Sequence, residues 1–281
     1  MIEGVKETAG DAYAFETGDC GAARLQMQDE IYGASTRQMM LDSGLGAGMR
    51  VLDLACGTGI VTHWIAKQVG RTGTVVGADI NREQLEFARA QWTPSEGSRP
   101  PDFMEVNAYD MTFAPESFDM VHCRLLLCHL QRPFDALREI HRVLKPGGVL
   151  VCQDIVISSA FSCPPTKVYE EAIALGHAMA RHLGVNYDFG LQLHTAVMDA
   201  GFGSPEVRFI QPAQLRGVGK NWWHQSFVEL RPGIIRAKLA TEDEMSALLG
   251  ELERLVLDER VLLAQARMPA VSAVKQKGAT P

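Results

Sequence analysis

The chain has 281 residues, 46% hydrophobic and 22% charged, which suits one enlarged soluble domain or a domain with a cap. A formal net charge of −7 argues against a phosphate-backbone substrate, because nucleic-acid binding leaves a basic footprint. No stretch approaches the roughly 20 apolar residues of a membrane span, and MIEGVKETAGDAY lacks the layout of a signal peptide, so the expected setting is cytoplasmic.

In chain order, residues 22–44 read as a helix with Leu25, Ile31, Met39 and Met40 among its apolar positions. Strand 50–55, helix 58–69, strand 73–79 and helix 81–91 follow, and the breakers between 93 and 101 make a loop. Next come strand 102–106, strand 118–123, helix 133–143 and strand 148–156. The helix is expected to stop at Lys145-Pro146-Gly147-Gly148. This alternation predicts an α/β fold, a doubly wound and mostly parallel sheet with helices on both faces.

After 157 the rhythm changes. Residues 160–188 read as an insertion, helical around 166–183. Residues 190–200 make a helix closed by Ala200-Gly201-Phe202, and 205–210 a strand. Residues 216–230 look short and aromatic. Residues 242–257 form an amphipathic helix with Met245, Leu248, Leu249, Leu252, Leu255 and Val256 on one stripe, open to burial in its own chain or against a second copy as a homodimer. A last strand is placed within 259–267, and the end of the chain reads as a flexible tail.

Six cysteines at 20, 56, 123, 128, 152 and 163 show no repeating spacing and read as reduced thiols. His122 and Cys123, adjacent on a strand, point to opposite faces, so no metal site is expected from them. His122 reads as structural and His141 as a surface residue.

The chemistry concentrates at residues 51–59, Val-Leu-Asp-Leu-Ala-Cys-Gly-Thr-Gly. An apolar strand there runs into a glycine turn and then a helix, as an adenosine-bearing cofactor requires. A second strand ends at Gly77-Ala78-Asp79-Ile80, where a carboxylate can accept both hydroxyls of an unphosphorylated ribose. The dinucleotide pattern G-x-G-x-x-G is broken, since Ala55 stands at its first glycine and none follows Gly59. That argues against a pyrophosphate cofactor.

Four segments together, VLDLACGTG at 51–59, VVGADI at 75–80, NAYDMTFAPESFDMVHC at 107–123 and LREIHRVLKPGGVLV at 137–151, resemble class I S-adenosylmethionine-dependent methyltransferases. The likeness is to their small-molecule branch, which includes ubiquinone/menaquinone-type enzymes. It implies a Rossmann-like seven-stranded fold, S-adenosylmethionine as cofactor, and methyl transfer to O, N or C of a small hydrophobic or aromatic metabolite. The organisation expected is a helical segment over the cofactor at 1–45, the Rossmann-like core at 46–156, a substrate cap at 157–188, the rest of the core with a helical lid at 189–267, and a tail at 268–281. The rival reading keeps fold and cofactor but catalyses a cyclisation, rearrangement or decarboxylation without methylating.

By the same resemblance, Asp53, Ala55, Gly57, Thr58 and Gly59 border the methionyl end of the cofactor. Asp79 takes the ribose, Ile80 packs on the adenine, and Asn107 and Ala108 face its edge. Gln84, Tyr109, Cys123 and Arg124 complete the surround. Tyr13, Arg24 and Gln28 lie over the amino-acid end, where an arginine can grip a carboxylate. The bland alternatives are a helix cap for Asp79, a tie to loop amides for Asp53 and a solvated helix face for Arg24. His129 is the candidate base, titrating near neutrality, with a core imidazole at a turn as its alternative. Tyr169, His177, Trp222 and Trp223 are the candidates for binding the acceptor, on the ground that two adjacent tryptophans cannot both enter one core face.

Overall fold

A computed structural model describes residues 18–94 and 97–278. Helix α1 (Gly18–Asp42) precedes β1 (Arg50–Leu54), α2 (Ile60–Val69), β2 (Thr74–Asp79), α3 (Arg82–Ala90), β3 (Asp102–Glu105) and β4 (Phe118–Arg124). A single 3₁₀ turn at Leu127–His129 leads to α4 (Pro133–Val143) and β5 (Leu144–Gln153). Then follow β6 (Phe161–Cys163), α5 (Lys167–Leu183), α6 (Leu193–Asp199), β7 (Glu206–Ile210) and β8 (Ala213–Gln214). The chain closes with α7 (Trp222–Arg236), α8 (Glu242–Leu257), β9 (Leu262–Ala264) and β10 (Met268–Val274).

Local chemistry explains the best-formed elements. Helix α4 starts on Pro133, whose missing N–H is no loss in a first turn, and buries Ala136, Leu137, Ile140 and Val143 at helical spacing. Helix α8 opens with a capping box, the Thr241 hydroxyl accepting from the Glu244 N–H while the Glu244 carboxylate accepts from the Thr241 N–H. Its apolar stripe is partly covered from within the chain, with Met245, Leu252 and Leu255 buried and Leu248, Leu249 and Val256 half-buried.

Seven strands form one sheet in the order β3-β2-β1-β4-β5-β10-β7, a Rossmann-like α/β arrangement. β1 to β5 are mutually parallel, and β10 runs antiparallel to both β5 and β7. A small separate sheet joins β6, β9 and β8. The connections leave β1 toward β2 and β3 on one side and resume at β4 on the other, so the switch point lies between β1 and β4.

Several expectations need correction. Residues 268–274 are the antiparallel strand β10 and no tail; Met-Pro-Ala-Val-Ser-Ala-Val carries small and apolar residues on both faces, so burial on both sides removes the alternation that marks a strand. The strand sought at 259–267 shrinks to the three residues of β9 in the small sheet. Helix α4 ends at Val143 as expected, and Lys145–Gly148 follow inside β5 as the irregularity between the Leu144 and Val149 pairings. Residues 222–236 form a 15-residue helix despite Pro232, burying Trp222, Trp223, Phe227, Leu230 and Ile234. His141 is buried, its ring meeting Phe202 edge-on at 5.0 Å.

Candidate active site

The carboxyl ends of β2, β1 and β4 open onto one cleft at the switch point, roofed by α1. Beyond Leu54 the chain reverses through a tight turn with Ala55, Gly57 and Gly59 at φ 59°, 53° and 77°. A side chain at Gly59 would meet Ala88 Cβ and Phe103 Cζ at 2.9 Å, so that glycine serves the packing of α3 and β3 behind the turn. Ala55 adopts the left-handed region at a cost of roughly 1–2 kcal/mol. Anchoring of the turn offsets it: the Gly57 N–H donates to Asp79 Oδ2 at 2.8 Å.

Asp79 thus ends β2 with one oxygen on the Gly57 amide and the other on the Asn81 amide, at 2.9 Å. Burial raises its pKa, partly countered by the amides of Asn81, Gly57 and Ile80. The cap of α3 is Asn81, whose side chain accepts from the Gln84 N–H at 2.9 Å, so capping is not the task of Asp79. Beside it Ile80 is 53% exposed, an apolar wall left open at the strand end.

Asp53 forms the floor. One carboxylate oxygen meets His122 Nδ1 at 2.7 Å and the other accepts from the Thr62 hydroxyl at 2.5 Å, so its ties are to side chains and not to loop amides. On the roof, α1 brings Arg24, Leu25 and Gln28 to the cleft. Arg24 Nε donates to Glu229 Oε2 of α7 at 2.8 Å, with both side chains buried, so the solvated-face alternative fails. Arg124 lies behind, bonded to Thr36 and Asp29; burial lowers its pKa while Asp29 and Asp53 oppose that. At the mouth Asn107 Oδ1 accepts from the Tyr109 N–H at 2.9 Å, and Arg132 sits 4.2 Å over the Tyr109 ring.

His129 closes the far end on the 3₁₀ turn, which Asp154 holds by accepting from the Cys128 N–H at 3.0 Å. Burial pushes Asp154 up to about 6. Burial, and secondarily the positive charge of Arg24, pushes His129 down to about 3. The ring is therefore neutral at pH 7 and a weak proton acceptor, against the near-neutral titration expected.

A stability test follows. Between about 6.5 and 3 the unfolded chain binds a proton that folded His129 refuses, so this residue makes stability fall as the pH drops through that window. Asp154 acts oppositely, since between 3.8 and about 6 the folded state binds the extra proton. His129→Asn is expected to lose less melting temperature than wild type between pH 6.5 and 4; equal losses would remove the burial argument.

Of the residues assigned to the cofactor, Arg24, Gln28, Asp53, Ala55, Gly57, Thr58, Asp79, Ile80, Gln84, Asn107, Ala108, Tyr109 and Arg124 meet at this cleft. Gly59 lies behind the turn, and Cys123 faces the core, 3.3 Å from the Cys152 sulfur. Tyr13 lies outside the described residues. Cys56, Asn81 and His122 line the cleft without having been assigned to it; His122 was legible only through the β1–β4 register that sets it beside Asp53.

The four acceptor candidates do not line this cleft. Trp222 and Trp223 are both buried, with Trp223 stacked on Phe227 and 5.4 Å from the Tyr169 ring. A helix flanked on both sides buries adjacent residues about 100° apart, which defeats the one-face argument. Tyr169 donates to the Ala264 carbonyl at 3.2 Å, and His177 lies 3.7 Å from Asp188.

Residues 52–152 match the model of the family Methyltransf_11, described as a methyltransferase domain. The chain is 34% identical over 148 residues to a demethylmenaquinone methyltransferase of Lactococcus lactis, covering 53% of this chain and 55% of that protein. The chain spans about half the length of the curated relatives it matches. Among solved structures, a putative methyltransferase from Bacillus halodurans superposes with a TM-score of 0.60 at 20% identity, over 87% of this chain and all of that one. The [4+2]-cyclase SpnF superposes with a TM-score of 0.56 at 21% identity, over 95% of this chain and 86% of that one. These two likenesses show the fold. The cleft falls at the ends of β1, β2 and β4, inside the matched segment apart from the α1 roof. No helix among the described residues is long and apolar enough to cross a membrane.

Proposed function

We propose that the cleft binds S-adenosylmethionine and that the chain transfers its methyl group to O, N or C of a small hydrophobic or aromatic metabolite. The observation that carries this is Asp79. Its oxygens hold the Gly57 and Asn81 amides, with the Ile80 amide also drawn on, and a carboxylate's acceptor capacity is not exhausted by these, so ribose hydroxyl donors can be taken without disturbing the turn. Exposed Ile80 offers a flat base an apolar face. The Asn107 oxygen accepts from the Tyr109 amide, which fixes the side chain and leaves its amide donors and the oxygen's second lone pair to an adenine edge.

When bound, the cofactor supplies a methyl group already activated on a sulfonium. The residues here have to align the partners and keep water out; orientation contributes on the order of 7–11 kcal/mol to lowering such a barrier. Leu125, Leu126 and Leu130 supply the apolar wall at the His129 end. With a proton affinity as low as its burial imposes, His129 hydrogen-bonds and positions an acceptor and does not deprotonate a phenol. A small molecule is the proposed partner and the cytoplasm the proposed setting; the net charge of −7 speaks against nucleic acid. Half of the α8 stripe is buried within the chain, with Leu248, Leu249 and Val256 half-buried, and a homodimer stays part of the proposal.

The test is incubation of the chain with S-adenosylmethionine and a panel of phenols, quinols and amines, read by mass spectrometry. S-adenosylhomocysteine appearing with a product one CH₂ heavier supports the proposal. Conversion of an acceptor without S-adenosylhomocysteine would instead establish the non-methylating reading.

A further inference from the structure

Asp154 is a buried carboxylate on which several donors converge, and the function proposed above makes no use of it. It follows β5, is 0% exposed, and lies outside the lining of the cleft. Its Oδ2 accepts from the Cys128 N–H and its Oδ1 from the Ile155 N–H, each at 3.0 Å. The Leu127 amide and the Cys128 thiol draw on the same carboxylate. The amides of Leu127 and Cys128 open the 3₁₀ turn, where no carbonyl of the turn can receive them. An oxygen from the neighbouring strand therefore decides where the turn stands.

Two ties hang the segment after β4 on the end of β5. Leu125, at φ 55°, bends the chain sharply, and its N–H donates to the Gln153 carbonyl at 2.8 Å. The Asp154 carboxylate is the second tie. Leu126, His129 and Leu130 stand beside these ties and line the far end of the cleft. The first tie is backbone to backbone, whereas the turn itself depends on one ionisable side chain. Protonation would set an O–H donor against amide donors that have no other partner. The neighbours packed on Asp154 supply no counter-charge. Burial holds the Cys128 thiol well above its ordinary range, and contact with the Cys123 sulfur does the same for Cys152. The Pro269 carbonyl of β10 accepts from the Asp154 N–H at 3.1 Å, and the Gly190 N–H donates to the Ile155 carbonyl.

We propose that Asp154 is the positioning residue for the wall that meets the methyl acceptor: its ionised carboxylate seats the Leu127–His129 turn, and protonation unseats it. This rests on the reading above, in which the His129 end of the cleft receives that acceptor. Asp154 does not reach the cleft, so it acts through the turn and leaves the nucleoside side untouched.

The experiment is an NMR titration of the full chain from neutral pH down to about 5, with ¹³C-labelled histidine rings and leucine methyl groups. His129 takes up its own proton only at about 3, so over this range its ring signal reports its surroundings. The His129 ring and the methyl groups of Leu126 and Leu130 are expected to shift together, with one midpoint at about 6, where burial places Asp154. D154N keeps one accepting oxygen and turns a donor on the amides of the turn. In it the common step is expected to vanish, while S-adenosylhomocysteine affinity by calorimetry stays within about twofold of wild type. A common step that persists in D154N overturns the proposal, as does a ring signal that moves while the methyl groups stand still. Should D154N not fold, the wild-type amides of Cys128 and Ile155, which touch the carboxylate, decide. A midpoint at those amides that differs from the one at His129, Leu126 and Leu130 overturns the proposal. Wild type that shows the step but takes up no S-adenosylhomocysteine would instead sink the cofactor reading.

Discussion

Asp79→Ala is expected to reduce affinity for S-adenosylhomocysteine by about a hundredfold or more. The carboxylate is offered two ribose hydroxyls, and hydrogen bonds to a charged group contribute about 1.5–3 kcal/mol each. A loss of roughly 3–6 kcal/mol corresponds to that range at 1.4 kcal/mol per decade. The substitution also frees the Gly57 amide, which Asp79 holds at 2.8 Å, so the turn carrying Ala55 in its left-handed conformation loses its anchor. Asp79→Asn keeps one acceptor oxygen and should fall between the two. Titration calorimetry checks the series, and an Ala variant within about threefold of wild type would show that the ribose is held elsewhere.

The second large effect is on folding. Arg24 and Glu229 lie 205 residues apart, on α1 and α7, with 4% and 0% side-chain exposure. Removing one member of such a pair strands a buried charge, at a cost of about 3–5 kcal/mol. Arg24→Ala and Glu229→Ala are each expected to lower the denaturation midpoint sharply, by an amount that is a large fraction of a domain's whole stability. Arg24→Met combined with Glu229→Leu should recover most of the loss, because two apolar side chains of similar size remove both charges together. If the double variant is no more stable than the single ones, the pair is not a closed unit. The consequence for binding studies is direct: loss of affinity in Arg24→Ala reports a loosened roof as well as a missing guanidinium.

The parts legible in the sequence were those with short-range chemistry. The turn at 55–59 and the acid at 79 are each spelled out by adjacent residues, and strand adjacency then brings them together. Helix α4 carries its own start signal and periodicity. What escaped depends on distant partners. β10 is buried by β5 and β7, so Ala270 and Val271 give no alternating pattern to read. With α7 taken for a short aromatic segment, Glu229 had no place in the fold, and the partner of Arg24 could not be found. The tryptophans followed the same logic, since a helix packed on both flanks accepts Trp222 and Trp223 together. His129 was placed at the cleft, but its proton affinity is set by burial and by Arg24 across the cleft, neither of which its neighbours in sequence reveal.

The most direct measurement is a calorimetric titration of S-adenosylhomocysteine into the wild-type chain. Saturable uptake at one site per chain is the predicted result, competed by S-adenosylmethionine. A flat titration at millimolar ligand, from protein shown to be folded, would contradict the claim that Asp79 and the turn beside it form a receptor for this nucleoside.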